Sequence, residues 1–228
     1  MGINFYDRLV KRSWENRFIF LLVSLLCFLI LSPLLKDFIR ISFLLDIFLT
    51  AVLLTSIYAI SQKKHHNLIG TILFLPVLVS TWSTYFVKIP SLNLIGSFFG
   101  ILFFIFTALS ILSFIFRQDK ITLDVICGAL VIYLLIAIIW ALLFGLIESV
   151  TPGSFAIAHS LGEESRTTFL YYSLVTITTL GYGDITPVTE VARSFAGLEA
   201  VIGQIYLVVL VARLVGIHIA QSMAERKP

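Results

Sequence analysis

The sequence predicts an all-α integral membrane protein, with six transmembrane helices and one short re-entrant helix that enters the membrane partway and returns. Three observations lead there. Hydrophobic residues make up 59% of the chain against 13% charged, and the mean hydropathy of +1.02 lies outside the range of ordinary soluble domains. Six apolar runs approach or exceed the roughly 20 helical residues needed to cross a hydrocarbon core about 30 Å thick. Between the last two runs stands TITTLGYGD, at 176–184, where glycines and hydroxyls interrupt any regular apolar helix.

The six runs cover 18–35, 42–60, 68–87, 92–116, 121–147 and 191–220. The first is too long for the apolar region of a signal peptide, and SPLLKDFIR after it offers no small-x-small cleavage pattern. Ahead of it, Tyr6, Leu9, Val10 and Trp14 recur at helical spacing with Arg8, Lys11 and Arg12 between them. That is the pattern of an interfacial helix lying on an anionic leaflet. Short polar joints carrying Lys36, Lys63, Lys64 and Lys88 separate the first four runs. The chain therefore divides into a juxtamembrane segment (1–17), a four-helix unit (18–117), a second unit (118–222) and a tail (223–228).

Eleven of the sixteen Lys and Arg residues fall on the side of the N-terminus, so a multi-pass protein of the cell membrane with both termini cytoplasmic is expected. Asp46 is expected to pair with Arg40 or Lys36, and His65 and His66 sit in a joint read as solvated. Cys27 and Cys127 fall inside runs, where they serve as small apolar fillers. No nucleotide fingerprint, zinc cluster, triad or catalytic carboxylate pair is present in the sequence, so neither an enzyme nor a nucleic-acid partner is expected.

The segment 148–190 contains only about a dozen residues able to form an apolar helix, too few to span. Its return must be irregular, and irregular backbone at membrane depth is tolerated only where protein or a watery path satisfies it. Gly181 and Gly183 adopt positive φ at little steric cost, which lets successive carbonyls face one side instead of alternating. Thr179 adds a hydroxyl oxygen at the inner end of that ladder. Such oxygens suit a monovalent cation. One chain supplies one wall, so enclosing an ion requires a closed ring of chains.

The stretch TTLGYGD resembles the signature of potassium channels, whose selectivity filters are rings of backbone carbonyls. The resemblance covers 120–220 as outer helix, pore helix, filter and inner helix, and more weakly the whole chain as a six-span subunit. It implies a homotetramer with potassium as the permeant ion and no other cofactor. The carbonyls of Thr179, Leu180, Gly181 and Tyr182, with the Thr179 hydroxyl, would form the stacked ion sites. Gly183 and Asp184 would shape the outer mouth. Leu180 stands where valine is usual, its side chain expected to point away from the ions and pack behind the filter. Tyr171 and Tyr172 stand where many members carry tryptophan, and Tyr171 is placed to hydrogen-bond Asp184. Val175 takes a position that is glutamate in some members.

In the last run, Gly203 lies where the family carries its inner-helix hinge, and it serves as a hinge or as a site of close packing. Gln204 lines the cavity or bonds a neighbouring helix. Glu199, one turn earlier, is an ionisable group deep in a span and needs a partner. The hydroxyls of Ser173 and Thr176 on the pore helix are the nearest candidates, which makes Glu199 a strut behind the filter. Burial and hydrogen bonding push its charge state in opposite directions. Arg213 is read as snorkelling to lipid phosphates, with a gating contact as the sharper alternative.

The four-helix unit resembles a voltage sensor in helix number and position only, since nothing between Lys88 and Arg117 is charged. Steep voltage gating needs several charges per sensor and is not expected. A nonselective cation pore would be expected to break the Gly-Tyr-Gly core, which is intact. A transporter or scaffold subunit would need a chain of acids or histidines across the spans, which the sequence lacks.

Overall fold

The computed structural model describes residues 17–34, 41–60, 64–83, 86, 90–118, 120–158 and 166–225. The expected interfacial helix around Tyr6 to Trp14 lies outside these residues, as do Lys36 and Arg40, the expected partners of Asp46. The described chain is mostly helical: α1 (Arg17–Leu34), α2 (Ile41–Ile60), α3 (Lys64–Ser83), α4 (Pro90–Phe116), α5 (Leu123–Val150), α6 (Arg166–Ile177) and α7 (Glu190–Glu225). Local chemistry sets several of these boundaries. Pro90 starts α4, where its fixed φ and missing N–H cost nothing. Thr122 caps α5, its hydroxyl accepting from Val125 N at 3.3 Å.

Among the described residues, Leu92–Phe116, Leu123–Val150 and Glu190–Met223 are long and apolar enough to cross a membrane. In α1, α2 and α3 the described apolar stretches are shorter, Arg17–Ile30, Leu49–Tyr58 and Leu68–Ser83. Helix α4 packs between α3 and α5, while α1 packs on α2 and on α5. The contact between α3 and α4 is close because Gly96 has no side chain: a Cβ there would meet Ser80 Oγ at 2.1 Å. The Ser80 hydroxyl donates across the same gap to Leu92 O at 2.7 Å. Phe103, Phe104, Ile111, Leu135 and Phe144 are fully buried in the core that joins the four-helix unit to α5.

The all-α expectation needs one addition. Residues Phe155–Ile157 (β1) and Ile185–Pro187 (β2) form an antiparallel two-stranded ribbon, with Ala156 opposite Thr186. A polar loop leaving the end of α5 and a chain returning from α6 run side by side here, and pairing satisfies their backbone groups. Short strands of this kind leave no hydropathy signal.

Two cationic side chains tie the units together at the opposite end. Arg17 is buried, its Nε 4.0 Å from Asp124 Oδ2 and its guanidinium over the Phe114 ring at 4.3 Å. Asp124 Oδ1 accepts from Phe18 N at 3.1 Å, so one carboxylate serves the first turns of both α1 and α5, where the helix dipoles favour it. Arg213 of α7 reaches the end of α4: its Nη2 donates to Phe116 O at 2.7 Å, and its guanidinium lies over the Phe116 ring at 5.0 Å. The carbonyls left free at the end of a helix are ready acceptors for such a cation. Removing one partner of a buried ion pair costs about 3–5 kcal/mol. Asp124→Ala is therefore expected to lower the thermal unfolding temperature of the detergent-solubilised protein sharply, with Asp124→Asn intermediate because its oxygen still accepts from Phe18. An unchanged unfolding temperature in Asp124→Ala would contradict this role.

Candidate functional site

Helix α6 has twelve residues and is about 18 Å long at 1.5 Å per residue, too short to cross a bilayer core. An aromatic cluster fixes its first half. Phe144 of α5 packs edge-on against Tyr172 with centroids 5.0 Å apart, and Phe155 of β1 lies 5.3 Å from both Phe169 and Tyr172.

Beyond Ile177 the chain leaves helical geometry. Its first N–H groups turn back onto the end of α6, with Thr179 N donating to Thr176 O at 2.9 Å, and Leu180 N and Gly181 N both donating to Val175 O at 2.9 and 3.3 Å. Positive φ recurs at every second residue: Thr179 at 59°, Gly181 at 56° and Gly183 at 80°. Alternating the sign of φ turns successive peptide planes so that their carbonyls share a side, which an ordinary strand cannot do. Thr179 is the informative member. A β-branched residue in the left-handed region is a genuine outlier, costing of order 1–3 kcal/mol, and outliers of this kind cluster at functional sites. Residues 178–183 are exposed in the single chain.

The far end of the loop is clamped from two directions. Tyr171 donates to Asp184 Oδ2 at 2.5 Å, and Asp184 Oδ1 accepts from Ile185 N at 3.1 Å. That hydrogen bond, with partial burial and the nearby Asp184 charge behind it, pushes the Tyr171 hydroxyl up to about 12. Its contribution is therefore complete below the ordinary tyrosine range near 10 and is lost as pH rises through about 12. On the other side Ala158 N donates to Asp184 O at 2.9 Å, and Val188 N to Ser154 O at 2.8 Å. The turn carrying Ser154 is itself held by Glu148, whose Oε1 accepts from Gly153 N at 2.5 Å and Oε2 from Phe155 N at 3.0 Å.

Behind the loop, Glu199 of α7 is fully buried. The Ser173 hydroxyl lies within hydrogen-bond reach of both Glu199 Oε1 and Ala137 O, the latter at 2.7 Å, so one side chain links α5, α6 and α7. Glu199 Oε2 has no hydrogen-bond partner among the described residues. Thr176 does not serve Glu199. It donates to Tyr172 O at 2.8 Å, the back-bonding habit of a hydroxyl within its own helix. Gly203 is a site of close approach inside an unbroken α7: a Cβ there would lie 2.4 Å from Ile177 Cγ1 and 3.1 Å from Ile177 O. Tyr133 of α5 donates to that same Ile177 carbonyl at 3.2 Å, beside a stacked Tyr206. Gln204 is exposed. Leu180 and Tyr182 are 55% and 66% exposed in the single chain.

Sequence reasoning missed Glu148, the cluster around Phe155 and the φ of Thr179. A signal existed for Glu148, since an acid in the last turn of a helix opposes the dipole and must find donors elsewhere. Residues 121–218 match a family model described as ion channel, and that span contains α5, the ribbon, α6, the loop and most of α7. Comparisons with curated proteins and with solved structures found no match.

The buried hydroxyl and carboxylate predict a graded response to substitution. Glu199→Gln keeps the hydrogen-bond link between Ser173 and α7 and should still assemble, whereas Glu199→Leu leaves Ser173 bonded only to Ala137 O and loses that link, at a cost of about 0.5–1.5 kcal/mol. Size-exclusion profiles and unfolding temperatures of the two variants should separate accordingly. Parent-like behaviour of Glu199→Leu in both measurements would remove the strut.

Proposed function

We propose that the protein is a potassium-selective channel, in which four copies of a six-span subunit surround a common axis and let the ion pass down its gradient. The observation that carries this reading is the alternation of φ at Thr179, Gly181 and Gly183 in a loop that follows a helix too short to span. Such a backbone offers the carbonyls of Thr179, Leu180, Gly181 and Tyr182, with the Thr179 hydroxyl, as a column of oxygens able to replace a hydration shell. The carbonyl end of α6 points the negative pole of its dipole toward the same path. The match of 121–218 to an ion channel model supports the class, and the intact Gly-Tyr-Gly core supports potassium over a nonselective cation pore.

Four-fold assembly is supported by what a single chain leaves uncovered. Only 11% of the apolar stretch of α7 is buried, and Val201, Ile205, Val208 and Val215 stand exposed, as do Leu180 and Tyr182 of the loop. Neighbouring subunits would bury these side chains, and Gln204 would face the central cavity. Residues 18–117 act in this reading as a scaffold without sensing charges, both termini lie in the cytoplasm of a cell membrane, and potassium is the only ion required.

Purified protein in a planar bilayer under opposed potassium and sodium gradients is expected to reverse near the potassium potential. Gly181→Ala is expected to abolish the current while the oligomer still forms, because a Cβ penalises the left-handed backbone that aims the carbonyl. Equal permeability to the two ions, or a parent-like current in Gly181→Ala, would overturn the proposal.

A further inference from the structure

A cavity of about 540 Å³ lies between the four-helix unit and the α5–α6 pair, within the size range of small-molecule sites, about 300–1,000 Å³. Its lining changes character along its length. On α5, Ile138 and Leu142 line one end and Glu148 and Ser149 the other. Ten residues separate Ile138 from Glu148, about 15 Å of helix. On the antiparallel α4 the order is the same: Phe104 lies at the apolar end, while Ser97 and Asn93 lie toward the end at Glu148.

The polar end is rich in acceptors. The Ser80 hydroxyl gives its hydrogen to Leu92 O and the Ser149 hydroxyl gives its own to Gly145 O, so both turn lone pairs to what lies around them. Glu148 is buried and takes one backbone N–H on each oxygen, which leaves each a further acceptor position. Ser97 and Asn93 complete that end with groups able to give or accept. A carboxylate among spent hydroxyls, in surroundings of low dielectric, favours a donor that carries positive charge.

We infer that this cavity is a binding site for an amphiphile with an ammonium head and a single alkyl chain, the head at Glu148 and the chain running toward Ile138 and Phe104. An anionic amphiphile is disfavoured at the same place, because its carboxylate would meet acceptors and a like charge. The ammonium comes either from a free amphiphilic amine or from the headgroup of an aminophospholipid that lends one chain. Phe169 and Leu170 of α6 form part of the wall, so an occupant touches the helix that carries the loop. An effect on conduction rests on the channel reading. Binding does not.

The test therefore reads binding. The full chain in phosphatidylcholine nanodiscs is labelled with a decylammonium probe carrying a diazirine at its far carbon, and the labelled residues are mapped by peptide mass spectrometry. Labels are expected on Phe104, Ile138 and Leu142, competed by decylammonium about tenfold more effectively than by decanol and not by decanoate. Replacing part of the phosphatidylcholine with phosphatidylethanolamine reduces labelling if the lipid is the source and leaves it unchanged if a free amine is. Glu148→Gln should erase the preference for decylammonium over decanol, and Ser97→Leu, which fills the cavity, should abolish labelling while the protein elutes as the same oligomer. Labels confined to lipid-facing side chains, equal competition by decanoate, or undiminished labelling of Ser97→Leu would each overturn the inference. A channel that fails to select potassium would leave these outcomes untouched.

Discussion

A backbone that abandons helical geometry must find partners for its polar groups, and this constraint organises the second half of the chain. Between Ile177 and Ile185 no ladder is available. The N–H groups of Thr179, Leu180 and Gly181 are returned to carbonyls at the end of α6, while the alternation of φ directs carbonyls elsewhere. If the loop lies at membrane depth, as proposed, the oxygens so directed call for water or a cation.

Holding such a loop still requires rigid fastening at both ends, because its own hydrogen bonds are few. At the α6 end, Ser173 bridges Ala137 O and Glu199, and Gly203 lets α7 approach Ile177. At the far end, Tyr171 holds Asp184, and the ribbon holds the chain that follows. Glu148 then anchors the ribbon to α5. The strained Thr179 persists because both ends are fixed, as a sparsely populated conformation requires. The uncovered face of α7 shows where this fastening ends within one chain.

Much of this was legible in the sequence. The apolar runs located the described helices to within a few residues, since hydropathy over 20 positions is a strong signal and the medium penalises exceptions. Glu199 declared its need for a partner because an acid deep in an apolar helix has no bland explanation, and Ser173 was near enough in the expected packing to be named. The choice between Ser173 and Thr176 was not legible, because it depends on rotation of α6 about its axis. The contact of Arg213 with Phe116 O was not legible for a similar reason, since it depends on where the chain runs after α4. The ribbon depends on how two distant segments meet, which no local pattern encodes, whereas Glu148 did carry a local signal, an acid in the last turn of its helix.

The central claim is that the oxygens of residues 179–182 form a column of cation sites on the axis of a four-chain ring. Anomalous scattering from thallium, a potassium mimic, in crystals of the oligomer tests this directly. The account predicts density on a four-fold axis between successive carbonyl planes of Thr179, Leu180, Gly181 and Tyr182. Thallium bound away from that axis, or an assembly in which these loops do not face one another, would contradict it.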